Sequence, residues 1–154
     1  MPKLYILVGV PGSGKSTWVN DQEWANECAI ISTDQYVEAY ARSTGKTYSE
    51  VFNEFMPKAV DLMAKDVIVA RDNNRDIIWD QTSTTVASRG KKFAMLPTYY
   101  KIAVVFKTPE PEELNRRLHR RPGKIIPAEV VQGMIDNFDQ PTEEEGFNEI
   151  WYAS

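Results

Sequence analysis

The chain has 154 residues, of which 42% are hydrophobic and 26% charged, and its formal net charge at pH 7 is -4. This length fits a single domain over residues 1–154, and the composition is that of a globular protein rather than a disordered one. The negative charge excludes a uniformly basic surface for nonspecific binding of long nucleic acids. Cys28 is the only cysteine, which excludes an internal disulfide. With no apolar run of about 18 residues to span a membrane, we expect a cytoplasmic protein without a membrane partner.

Apolar runs of strand length alternate with helical patterns along the chain. In chain order we predict a strand at 4–8, a helix at 15–27, a strand at 29–31, a helix from 48 to about 69, a strand at 77–79, a helix at 86–96, a strand at 102–106, helices at 110–121 and 127–138, and a strand at 149–152. Pro57 is expected to kink or divide its helix, because proline lacks an amide hydrogen. The alternation predicts an α/β fold, a parallel sheet with helices on both faces.

The clearest chemical motif is Gly-Val-Pro-Gly-Ser-Gly-Lys-Ser at residues 9–16. It fits the Walker A pattern of a P-loop, and it lies between a predicted strand and a predicted helix, as that motif requires. Glycines let backbone amides turn inward around phosphates at the positive end of a helix. Lys15 is predicted to be catalytic by reaching the β and γ phosphates, and the Ser16 hydroxyl is predicted to hold Mg²⁺. The residues expected to bind ATP here are Gly9, Pro11, Gly12, Ser13, Gly14, Lys15, Ser16 and Thr17.

Acidic residues follow the next two predicted strands. Asp34 comes shortly after the strand at 29–31, and Asp80 directly follows the strand at 77–79. Ligands of open parallel sheets bind beyond the carboxyl ends of the strands, so we expect both carboxylates to face the P-loop. Asp34 is predicted to be the general base for a hydroxyl acceptor, and Asp80 to support Mg²⁺. The structural alternatives are a helix N-cap for Asp34 and a surface position for Asp80.

A basic cluster follows the fourth strand. Two pairs of arginines stack at a spacing of four residues, which destabilises a helix unless an anion or carboxylates lie opposite. Pro122 and Gly123 end the helix just beyond Arg121, as expected of a lid that delivers an arginine to a transferring phosphoryl group. The alternative is a solvated face paired with Glu112 and Glu113. The cluster consists of Arg116, Arg117, Arg120, Arg121 and Lys124.

Over almost its full length, the chain resembles the kinase domain of bacteriophage polynucleotide kinase and of the metazoan polynucleotide kinase/phosphatases. The resemblance rests on the P-loop, on Asp34-Gln-Tyr, on Asp80-Gln-Thr, and on a lid segment at residues 117–127. It implies an adenylate-kinase-like fold and transfer of the ATP γ-phosphoryl group to the 5′-hydroxyl of a nucleic-acid end. It also implies that Asp34 is the base, that Arg121 clamps the phosphate, and that Arg117 contacts the nucleotide.

Two positions depart from that family. Thr33 and Val37 stand where relatives carry arginines before and after the aspartate. Because Val37 is predicted to lie on the same helical face as Asp34, beside the crevice, we expect little preference for an acceptor with a 3′-phosphate. If the protein did prefer such an acceptor, Arg42 or Arg89 would be the residue that binds the 3′-phosphate in place of the missing arginine. A small-molecule, nucleoside or modified-base kinase, and an ATP-binding switch or weak ATPase, remain open alternatives.

Overall fold

The computed structural model describes residues 1–153, in which five strands and six α-helices alternate. The strands are β1 (Lys3–Val8), β2 (Ala29–Ile31), β3 (Ile77–Trp79), β4 (Tyr100–Phe106) and β5 (Glu149–Ala153). The helices are α1 (Lys15–Asp21), α2 (Asp34–Thr44), α3 (Tyr48–Asp72), α4 (Val86–Met95), α5 (Pro111–His119) and α6 (Ala128–Asp136). Over these residues, no helix is both long enough and apolar enough to cross a membrane.

The strands form one parallel sheet in the order β2-β3-β1-β4-β5. Tyr5, near the middle of β1, lies opposite Ile78 of β3 and Ile102 of β4. The strand order reverses at β1, because the chain adds strands first on one side of it and then on the other. Such a reversal opens a crevice at the carboxyl ends of the strands, where ligands of open α/β sheets bind. The predicted α/β fold is confirmed.

Both faces of the sheet are covered. Leu4, Ile6 and Val8 point to the face that packs against α3 and the end of α4. Tyr5 and Leu7 point to the opposite face, which packs against α1 and the residues that follow it. The residues of β1 from Leu4 to Val8 are therefore all buried, which explains why the strand reads as a continuous apolar run.

Several predicted elements differ from the structure, among them the helix predicted at 127–138, which spans Ala128–Asp136. The helix predicted at 15–27 ends at Asp21 and is followed by a 3₁₀ helix at Glu23–Glu27. In this 3₁₀ helix the centre of the Trp24 ring lies 4.7 Å from that of Tyr5. The helix predicted at 110–121 ends at His119, because a residue that precedes a proline disfavours the helical conformation. Of the two outcomes expected at Pro57, a kink or a division, the division is wrong, since α3 runs through Pro57 as one helix.

Candidate active site

The P-loop connects β1 to α1 through a turn that only glycine tolerates at two positions. Gly12 and Gly14 have φ angles of +81° and +103°, in the left-handed region. A Cβ on Gly12 would also lie 3.2 Å from Leu114, because the loop packs closely against α5. A Cβ on Gly14 would meet nothing within 4 Å, so the loop backbone there faces open space that a phosphate could occupy.

Lys15 folds back over the loop. Its Nζ donates to the carbonyl oxygens of Gly9 at 2.8 Å and Val10 at 2.9 Å. The pKa of Lys15 is lowered to about 8, mainly by burial, with the charge of Asp80 opposing the shift and that of Arg121 adding to it. The ammonium therefore lacks a full counter-charge, and the anionic phosphates of a nucleotide would supply one.

An open cleft of about 1810 Å³ lies at the carboxyl ends of the strands. Gly9 of the predicted set is buried beneath the loop, and the Ser13 Oγ is buried without a hydrogen-bond partner in the part of the chain that the structure describes. The structure thus brings the predicted residues together around one cavity. Those that line the cleft are Pro11, Gly12, Ser13, Gly14, Lys15, Ser16, Thr17, Asp34, Asp80, Arg117 and Arg121.

Ser16 and Asp80 are the two side chains predicted to serve Mg²⁺. Asp80 directly follows β3, and its backbone N–H donates to the Ile31 carbonyl at 2.7 Å, which fixes the strand end. Burial raises the pKa of Asp80, although the nearby Lys15 opposes the shift. A hydroxyl and a carboxylate are oxygen ligands of the kind Mg²⁺ prefers, with phosphate oxygens and waters completing an octahedron. These residues fit the metal.

Asp34 is the first residue of α2, and the alternative that it caps the helix is wrong. Thr33 holds the N-cap position, without a side-chain hydrogen bond to the helix. The Asp34 carboxylate is turned instead to two other partners: Oδ1 accepts from the Tyr48 hydroxyl at 2.6 Å, and Oδ2 accepts from Lys124 Nζ at 3.3 Å. Asp34 is therefore a cleft residue whose orientation is fixed by side chains distant in sequence.

Val37 does not lie beside the crevice, contrary to prediction. It is fully buried with Ala41, Val51 and Ala59 between α2 and α3. Of the residues on α2, those that face the cleft with Asp34 are Gln35 and Glu38. The error arises because α3 covers the face of α2 that carries Val37, and helical spacing from Asp34 does not show which face is covered.

Arg89 is not available as a substitute clamp either. Its side chain is fully buried, with Nε 2.7 Å from the Glu145 carboxylate. Nη1 donates to the Ser83 carbonyl at 2.9 Å and Nη2 to the Asp139 carbonyl at 3.0 Å. Arg42 is exposed on α2 and does not line the cleft.

The basic cluster divides into different environments. Arg117 donates through Nη1 to the Gly12 carbonyl at 3.0 Å and through Nε to Glu113 at 2.8 Å, so it touches the P-loop. Arg116 pairs with Glu113 but does not itself line the cleft, and for this residue the solvated-face alternative is correct. Arg120 and Arg121 line the cleft. The cluster is thus a cleft wall with one member, Arg116, outside the cleft.

Sequence reasoning missed the two partners of Asp34 and a nearby aromatic ring. Tyr48 and Lys124 contact the carboxylate, and Phe52 lines the cleft with its ring 5.6 Å from that of Tyr48. No spacing links Tyr48 to Asp34, because the two residues are separated by the turn between α2 and α3. Lys124 was recognisable only as a member of the basic cluster.

Comparisons with known proteins agree with the fold. The chain is 26% identical to heterogeneous nuclear ribonucleoprotein U-like protein 2 of Mus musculus, over 98% of this chain and 21% of that protein. A sugar kinase from Janibacter sp. HTCC2649 shares the fold, with a TM-score of 0.64 and 16% identity over 99% of this chain and 86% of that one. A chain of the Pnkp1/Rnl/Hen1 RNA repair complex has a TM-score of 0.64 and 24% identity over 88% of this chain and 43% of that one.

These similarities support conclusions of different scope. The chain spans about a fifth of the length of the curated relatives it matches, and the two solved structures show the fold alone. A family model described as an AAA domain matches residues 4–141, which cover the P-loop, both aspartates and the basic cluster. The chain therefore belongs to the AAA domain family AAA_33 and has a P-loop kinase-like fold.

Proposed function

We propose that the chain is an ATP-dependent kinase that transfers the γ-phosphoryl group to the 5′-hydroxyl of a nucleic-acid end. The observation that carries this proposal is the position of Asp34 in the same cleft as Lys15. Its charge is near enough to Lys15 to act on the pKa of that lysine, and its carboxylate is oriented by two side chains. A nucleotide site alone needs no such carboxylate, whereas transfer to a hydroxyl does.

Each residue has a role in this reaction. The loop amides and Lys15 would bind the ATP phosphates, and Ser16 and Asp80 would hold Mg²⁺. When bound, Mg²⁺ would supply positive charge to the phosphate oxygens. Asp34 takes the proton from the acceptor hydroxyl as its oxygen attacks the γ-phosphorus, the bond to the bridging oxygen breaks, and ADP leaves. Arg121 stabilises the charge that develops on the transferring group.

The aromatic wall of the cleft supports a nucleic-acid acceptor. Phe52 is 38% exposed and lines the cleft beside Tyr48, which itself contacts Asp34. Aromatic side chains stack on nucleobases with little sequence preference. The polynucleotide kinase resemblance and the likeness to a chain of an RNA repair complex point to the same acceptor.

One observation favours a second candidate, a kinase for an uncharged small molecule such as a sugar or a nucleoside. Glu38 lines the cleft one helical turn beyond Asp34, and its negative charge would repel an acceptor phosphate. A third candidate, an ATP-binding switch or weak ATPase, would turn over ATP without any hydroxyl acceptor.

A transfer assay separates the candidates. ATP labelled in the γ-phosphate is offered to 5′-hydroxyl DNA, 5′-hydroxyl RNA, matched 5′-phosphorylated oligonucleotides, nucleosides and a set of sugars. Among the oligonucleotides, we expect label only on those with a 5′-hydroxyl. We expect no label with a Lys15→Ala protein. Label on sugars or free nucleosides only would select the second candidate. Acceptor-independent release of phosphate would select the third.

A further inference from the structure

Tyr48 is held against Asp34 in a way that sets it apart from similar pairs nearby. Three tyrosine hydroxyls bond to carboxylates around α2 and α3, in the pairs Tyr36–Asp66, Tyr40–Glu54 and Tyr48–Asp34. Only in the last pair do both residues line the cleft. Burial, and then the hydrogen bond to Asp34, raise the pKa of Tyr48 well above its ordinary value, so the phenol remains a donor.

Lys124 approaches the same carboxylate from the lid segment (residues 117–127). Its Nζ lies 3.3 Å from Asp34 Oδ2 and 2.9 Å from Glu38 Oε1, and 4.5 Å from the centre of the Tyr48 ring. The Lys124 side chain is only 15% exposed, whereas those of Asp34 and Glu38 are 49% and 44% exposed. Because two carboxylates one turn apart repel each other, the ammonium between them holds both in place.

The lid segment is docked on the beginning of α3 by hydrogen bonds to one residue. The Ser49 N–H donates to the Gly123 carbonyl at 3.0 Å, and the Ile125 N–H donates to Ser49 Oγ at 2.7 Å. A Cβ on Gly123 would lie 2.9 Å from the Thr47 Cβ, so the contact is close. Lys124 lies between the two docked residues, and Arg121 lies just before them.

From these contacts we infer that Tyr48 and Lys124 are positioning residues for the Asp34 carboxylate, and that Lys124 links this position to the docking of the lid segment. The inference rests on the proposed function. A carboxylate has several acceptor directions, so the two donors fix its orientation and leave room for an acceptor hydroxyl. Since Arg121 belongs to the same segment, docking of the lid would set the base and the phosphate-stabilising arginine together.

The test compares variants in transfer of labelled γ-phosphate to a short 5′-hydroxyl oligonucleotide. We expect Tyr48→Phe and Lys124→Met each to lower kcat by about 10-fold, the effect of losing one hydrogen bond to a charged group. For Tyr48→Phe, the KM for ATP and acceptor-independent ATP hydrolysis should stay at wild-type values. Lys124→Arg, which keeps a donor and the charge, should recover most of the loss.

Tyr40→Phe is the matched control, because it removes the same kind of bond to Glu54 outside the cleft. It should keep wild-type kcat, whatever its effect on Tm. Equal losses in transfer and hydrolysis, or equal kcat effects of Tyr40→Phe and Tyr48→Phe, would mean that Tyr48 only joins α2 to α3 and would overturn the inference. Transfer that persists in Tyr48→Phe and Lys124→Met at the wild-type kcat would also overturn it. Absence of transfer by the wild-type protein would instead overturn the proposed function.

Discussion

Lys15 shows how the side chains of the predicted phosphate site favour an anionic ligand. The lysine bonds to carbonyl oxygens of its own loop, while burial holds its pKa at about 8. Anionic phosphates beside the ammonium would raise that pKa, so nucleotide binding should be coupled to proton uptake whenever the free lysine is partly neutral.

We therefore predict that the affinity for Mg-ATP is independent of pH below about 8 and falls as the pH rises above it. The sign follows from the lower pKa in the free protein, because only the protonated lysine binds phosphate well. Calorimetry at pH 8.5 in two buffers of different ionisation enthalpy should reveal proton uptake, and Lys15→Met should abolish it. An affinity that stays constant from pH 7 to 9.5 would contradict this reading.

Phe52 provides a second prediction at this scale. Base stacking on an aromatic side chain contributes about 1–3 kcal/mol, so Phe52→Ala should reduce kcat/KM for a 5′-hydroxyl oligonucleotide by about 5-fold or more. The kcat/KM for an oligonucleotide with an abasic 5′ end should not change in this variant. Val60→Ala, at an exposed position of α3 outside the cleft, is the control. Equal effects on the two oligonucleotides would remove Phe52 from acceptor recognition.

At the scale of elements, the buried pair Arg89–Glu145 joins α4 to the segment before β5. Both side chains are almost completely excluded from solvent, at 0% and 6% exposure. The arginine also binds the Ser83 carbonyl, in the loop whose Thr82 carbonyl accepts from the Gly9 N–H. The pair thus stabilises the loop after β3, which forms part of the cleft wall.

We predict that Glu145→Ala lowers the free energy of unfolding by about 3–5 kcal/mol, because it leaves the Arg89 charge buried without a partner. Denaturation by urea at pH 7 measures the change. The exposed pair Arg71–Asp72 is the comparison, and Asp72→Ala should change the free energy by less than about 1 kcal/mol. Similar effects at the two sites would refute a structural role for the buried pair.

The same scale shows which features the sequence could predict. The strands and the P-loop depend on local patterns, namely continuous apolar runs and glycines at fixed positions. The predicted bounds of each strand therefore lie within two residues of those in the structure. The contacts of Asp34 could not be predicted, because Tyr48 and Lys124 reach it only through the packing of α2, α3 and the lid segment. The placement of Val37 failed because helical spacing from Asp34 does not reveal which face α3 covers.

At the scale of the whole molecule, the sheet order explains why distant residues share one cleft. The strands are all parallel, so the loops after β1, β2 and β3 begin at the same edge of the sheet. These loops carry the P-loop, Asp34 and Asp80, and the lid segment completes the cleft from the far side. We propose that this arrangement transfers phosphate to a hydroxyl with Asp34 as the base.

The most direct test of this role uses Asp34→Asn, which keeps the shape of the side chain but cannot accept a proton in the same way. Transfer of labelled γ-phosphate to a 5′-hydroxyl oligonucleotide and the Kd for Mg-ATP are measured on the same preparation. We predict a loss of transfer of roughly 10²–10⁴, the usual contribution of a general base, with the Kd unchanged. Transfer at the wild-type rate by a folded Asp34→Asn protein would contradict the account.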